Sequence, residues 1–118
     1  MQRWFLPDIE TPGGTLSPVV LKSEDDARAV LIVLQPGQEL GEHQVKEHAW
    51  LLVVEGSVQV SPGGDDNEAP AGTLFRFEPD ERHSVASTGG ARILLLLAPW
   101  PGAGHYRGEE LAGRADSA

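Results

Sequence analysis

Four histidines, His43, His48, His83 and His105, are the side chains of this 118-residue chain best suited to chemistry. There is no cysteine, which excludes disulfides, thiolate metal sites and a cysteine nucleophile. Any transition-metal site must therefore be built from imidazole and carboxylate. His43 and His48 are five residues apart near the start of a strand candidate, and His83 follows forty residues after His43 near the start of another. Taken singly, each reads as a surface or hydrogen-bonded histidine. Glu42 and Glu47 flank the first two and read as solvated loop carboxylates, with orientation of an imidazole as the alternative role. Other reaction classes lack their residues. The pairs Gly63-Gly64 and Gly89-Gly90 are turn glycines rather than a phosphate cradle. No Gly-x-Ser-x-Gly elbow exists, and Ser84 beside His83 does not make a triad. Trp50 and Trp100 read as packing residues, with a ligand cavity or a dimer interface as alternatives. His105 reads as a tail or surface residue.

The elements that must position these histidines are short. Gly and Pro number 14 and 9 of the 118 residues, more than long helices tolerate. They leave segments of about four to eight residues, the length of strands. Strands are expected at 18–21, 29–34, 39–45, 50–54, 57–61, 73–77, 82–87 and 92–98, with a tight turn at Glu55-Gly56 and an exposed acidic loop at 62–67. Three of them, AVLIVL (29–34), WLLVV (50–54) and RILLLLA (92–98), are apolar on both faces. Such strands need cover on both sides, from a second sheet or a closed barrel, with a partner subunit as possible cover for an outer face. Only 108–115 has helical character. The expectation is an all-β domain of at least eight strands with no helix longer than about two turns.

The charge balance limits partners. Nine Lys and Arg against eighteen Asp and Glu give a formal charge of −9, and no basic run exists to displace counterions from phosphates. Nucleic acid and anionic membrane surfaces are excluded as partners. The apolar run 93–99 is too short to span a bilayer, and the first residues carry no apolar stretch of signal-peptide length. The chain thus reads as a soluble cytoplasmic protein.

The segment PGQELGEHQVKEHAWLLVVEG resembles the first motif of the cupin superfamily: Gly37 stands six positions before His43, and the Val-x-Glu-Gly ending closes on Gly56. The segment AGTLFRFEPDERHSV resembles the second motif, opening on Gly72 with His83 eleven residues later, where the family places its last metal ligand. The resemblance covers residues 18–99. It implies an RmlC-like double-stranded β-helix, or jelly-roll barrel, formed by residues 18–100 between an N-terminal arm (1–17) and a C-terminal tail (101–118). It also implies a homodimer; Trp4, Phe5 and Leu6 are too apolar for a free arm, and docking on the partner barrel is expected to bury them.

Cupins commonly hold one divalent metal with two histidines and a glutamate from the first motif and a histidine from the second. Here the second histidine position is Val45, the glutamate position is Ala49, and Ser87 replaces the asparagine that often ends the second motif. Only His43 and His83 carry over. His48 is the candidate third ligand. Strand alternation turns it outward if position 49 faces in, and a bulge at the strand entry would turn it inward. Two readings stay open: a His43–His48–His83 site for Fe, Mn, Ni or Zn, and a two-histidine polar pocket without a tightly bound metal. The first implies a dioxygenase-like or isomerase-like reaction on a small organic molecule. The second implies a non-enzymatic ligand-binding or sensing barrel.

Overall fold

Between the Gly and Pro breaks the chain forms eight strands in a computed structural model that describes residues 1–11, 18–24, 26–43, 46–61 and 68–100, with side chains for all of these but 41–43. They are β1 (Val19–Ser23), β2 (Arg28–Leu34), β3 (Glu39–His43), β4 (His48–Ser61), β5 (Ala69–Pro70), β6 (Leu74–Phe77), β7 (His83–Ala86) and β8 (Ala91–Ala98). A single 3-10 turn, Leu6–Asp8, is the only helix among the described residues, so none there is long and apolar enough to cross a membrane. Val45, the 62–67 loop, His105 and the helical candidate 108–115 lie outside the described residues.

All pairings are antiparallel, in the order β1-β2-β8-β4-β7-β3, with β5 and β6 also on β4. β4 joins the two halves of the jelly roll. Up to Gly56 it lies between β8 and β6, and from Ser57 onward it pairs with β5 and β7. Two strands with a tight turn at Glu55-Gly56 were expected here; instead one strand of 14 residues runs through. The glycine serves a bulge rather than a turn. The β4–β8 register slips between Val53 and Glu55, and Gly56 takes φ +76°, with Gly90 O so close that a Cβ would meet it at 2.1 Å. A bulge of this kind bends a strand without ending it.

The two-sided apolar strands divide their side chains by alternation. Val30, Ile32, Leu51, Val53, Ile93 and Leu95 point into the core and are at most 2 % exposed. Their neighbours form an outer face on which Leu31 is also fully buried, while Trp50, Leu74 and Leu96 remain exposed. The N-terminal arm is pinned to this molecule. Arg92 Nη1 donates to the carbonyls of Leu6 (3.1 Å) and Ile9 (2.8 Å), and Arg92 Nε donates to Glu55 Oε1 at 3.1 Å. Leu6 is thereby half-buried, whereas Trp4 and Phe5 stay exposed.

Candidate functional site

Antiparallel pairing brings the starts of some strands beside the ends of others. At one end of the barrel, β2, β4 and β7 begin with Arg28, His48 and His83, and β3, β6 and β8 end with His43, Phe77 and Ala98. Candidate residues forty positions apart thus reach one place through topology alone.

The register sets His43 directly opposite His83 across β3 and β7. His83 is 2 % exposed. Its ring stacks flat on Phe77, with centroids 3.9 Å apart and an interplanar angle of 2°, and Phe77 in turn stacks on Phe75 at 6.2 Å. His83 Nδ1 lies 3.2 Å from the Glu81 carbonyl. A carbonyl only accepts, so Nδ1 carries the proton and donates, and the lone pair of the neutral ring resides on Nε2. This combination holds the imidazole in one tautomer and one plane, the condition a metal-ligating histidine needs. The side chain of His43 lies outside the described residues, as does that of Glu42.

Ala49, at the position where the resemblance expects a glutamate, is fully buried and registered opposite Phe77. It occupies the histidine side of β4 and offers only a methyl group. The β4–β8 register runs without a shift through His48↔Ala98, Ala49↔Leu97 and Trp50↔Leu96. No bulge turns His48 inward, and alternation leaves it on the outer face. There His48 Nδ1 accepts from Arg76 Nη2 at 2.8 Å, with Glu78 Oε2 at 3.6 Å. Arg76 also pairs with Glu78 and lies over the Trp50 ring, 5.1 Å from its centroid. The structure therefore brings His43 and His83 into register and gives His48 to a surface cluster.

Two buried charged residues at this end were not singled out as part of the pocket. Arg28 is 4 % exposed, with its guanidinium 4.7 Å from the centroid of the buried Trp100 ring. Glu47 is 1 % exposed, not the solvated loop carboxylate expected from its polar surroundings in sequence. The signal that finds it is alternation continued backward from β4: positions 47, 49 and 51 are buried, and 48 and 50 are more open. Ser87 is also buried, its hydroxyl donating to Ser57 O at 2.7 Å; it ties strands together rather than facing a ligand. Among the described residues, no three His, Asp or Glu side chains converge closely enough to hold a metal ion. A separate shallow pocket of about 250 Å³, lined by residues such as Leu34, Pro36, Gly56 and Arg92, includes no histidine.

Comparison with known proteins agrees with this architecture. The cupin domain family model matches residues 30–98. Among solved structures, an RmlC-like cupin from Shewanella frigidimarina is 26% identical, with a TM-score of 0.68 over 80% of this chain and 85% of that one. An RmlC-like cupin from Desulfovibrio desulfuricans is 20% identical, with a TM-score of 0.73 over 84% and 97% of the two chains. A double-stranded β-helix protein from Klebsiella pneumoniae, also 20% identical, gives 0.74 over 87% and 95%. No curated protein matches the chain.

Proposed function

The chain belongs to the cupin domain family, and from that premise we propose that its barrel end holds a divalent transition metal (Fe, Mn, Ni or Zn) on His43 and His83 and receives a small organic molecule beside it. The observation that carries the reading is the His43↔His83 register. Directly opposed positions of an antiparallel pair share a face, with Cβ atoms roughly 5 Å apart. The locked tautomer of His83, with its lone pair on Nε2, suits the same role. An ion with open coordination positions supplies Lewis-acid or dioxygen-activating chemistry, the basis of a dioxygenase-like or isomerase-like reaction. The chain's own contribution is to orient His83 through Glu81 and Phe77 and to line the site with apolar surface. For His48 to join the set, its ring must leave Arg76 and β4 must shift register at its start.

Ala49 favours a second reading, a non-enzymatic barrel that binds a small ligand without metal, because a methyl group stands where a ligating carboxylate is expected. Elemental analysis of the purified protein separates the two. About one equivalent of a transition metal supports the first reading. Protein that stays metal-free after incubation with each of the four ions overturns the first and leaves the second.

The outer face supports a homodimer. Trp50 and Leu96 are directly paired in register, and with Leu74, Trp4 and Phe5 they leave large apolar side chains in water, a surface that monomers rarely keep. Sedimentation at micromolar concentration is expected to give a dimer, and Leu96→Glu to shift it to monomer. A clean monomer for the unaltered chain overturns this assignment.

A further inference from the structure

On the outer face one row of register-paired positions crosses five strands: Lys22, Ala29, Leu96, Trp50 and Arg76. Leu96 and Trp50 are exposed toward its centre. Its two ends are cations, each beside a carboxylate of its own. Lys22 Nζ is 3.1 Å from Glu24 Oε1, and Arg76 pairs with Glu78. The chain carries a formal charge of −9, yet this row and its ion-pair partners sum to zero. A second copy therefore meets an apolar centre here without like-charge repulsion.

One histidine belongs to this surface. His48 Nδ1 is 2.8 Å from Arg76 Nη2. A guanidinium only donates, so Nδ1 accepts, the ring is neutral and its proton is on Nε2. The same guanidinium lies over the Trp50 ring, and Glu78 Oε2 stands 3.6 Å from Nδ1. Among the described residues, the other neighbours leave this balance alone. The register partner on β8 is Ala98. Lys46 is tied to Asp80 at 2.8 Å. Glu47 is buried, and alternation sets it on the opposite face.

We propose that His48 makes the homodimer interface proton-sensitive: two copies pair while His48 is neutral and separate when it is protonated. This rests on the homodimer reading above. With His48 neutral, the charges of Arg76 and Glu78 cancel. Protonation turns Nδ1 from an acceptor into a donor facing a guanidinium, and leaves two cations sharing one carboxylate. Trp50 links this cluster to the centre of the contact, and a two-fold interface covers the cluster twice. Covering an uncompensated charge is costly. The separated copies, with the cluster in water, therefore take up the proton more readily than the dimer does. Pairing is thus favoured at neutral pH and weakens as pH falls through the range in which histidines change charge.

The test uses the whole chain in sedimentation runs at about pH 7.5 and about pH 5.5, which bracket that range, with near-UV circular dichroism at both. The dissociation constant of the unaltered dimer is expected to rise more than about tenfold on acidification, because each copy takes up a proton. His48→Gln, whose amide oxygen accepts from Arg76 at either pH, is expected to change less than about threefold. Arg76→Gln leaves a protonated His48 beside Glu78 alone. It is expected to pair no more weakly at the lower pH, and it decides the matter if the His48 variant fails to fold. An unaltered dimer indifferent to pH overturns the role of His48 while the homodimer stands. So does an acid-induced loss of pairing that His48→Gln or Arg76→Gln shares in full, or that comes with loss of the aromatic signal. A clean monomer at both pH values overturns both readings.

Discussion

His83→Gln is expected to abolish metal uptake, lowering affinity by more than about 100-fold, a larger loss than removal of supporting residues causes. His83 is the best-defined donor of the proposed site. Its plane is set by the Phe77 ring at 3.9 Å, and its proton is committed to the Glu81 carbonyl through Nδ1. The lone pair on Nε2 is thus oriented before any ion arrives, so binding need not order the ring. Glutamine fills much of the same volume and keeps a polar group, which limits damage to the core around Phe77. The check is elemental analysis and Co(II) titration of the variant, with near-UV circular dichroism to show that the aromatic packing survives. A folded His83→Gln protein that still binds one equivalent with unchanged affinity would remove His83 from the site. Phe77→Leu supplies a graded comparison: it leaves both histidines present but frees the imidazole plane, so a smaller loss of affinity is expected.

Gly56→Val is expected to be the most damaging single substitution in the barrel framework. Two costs combine. The backbone there has φ +76°, a left-handed conformation that costs an ordinary residue about 1–2 kcal/mol and a β-branched one more. A Cβ would also stand 2.1 Å from Gly90 O and 3.0 Å from Ala91 Cα, both backbone atoms, so no side chain can rotate out of the way. β4 and β8 would have to separate at the bulge, where β4 passes between the halves of the jelly roll. Together the loss is expected to exceed about 3 kcal/mol, a fall in Tm of roughly 15 °C or more for a domain of this size. Gly72→Ala is the control. It has φ +96° but nothing within 4 Å of an added Cβ, so only the conformational cost applies and the fall in Tm should be several-fold smaller. Equal effects at the two positions would show that the close approach to Gly90 carries no energetic weight.

The residues themselves determined most of the architecture. Spacing of glycine and proline left room only for strands, and the three runs apolar on both faces became β2, the first half of β4, and β8, adjacent in the order β2-β8-β4. The positions of Gly37, His43, Gly56, Gly72 and His83 were sufficient to indicate a cupin. Local signals failed where one residue type serves two geometries. Glu55-Gly56 reads as a turn because glycine with positive φ is typical of turns. The same conformation makes a bulge, and the long-range pairing of β4 with β8 selected it. Charge alone placed Glu47 in solvent, whereas the tertiary structure buried it.

The histidines divide in the same way. Motif spacing singled out His43 and His83, but their juxtaposition is a property of the β3–β7 register, which no local window contains. His48, at no motif position, was the candidate third ligand. Alternation along an unbroken strand entry then set its imidazole beside Arg76 on the outer face. Residue types and spacing therefore determined which side chains are candidates for chemistry and which elements form. Strand register and the presence or absence of a bulge, which depend on partners distant in sequence, decided which face each candidate occupies.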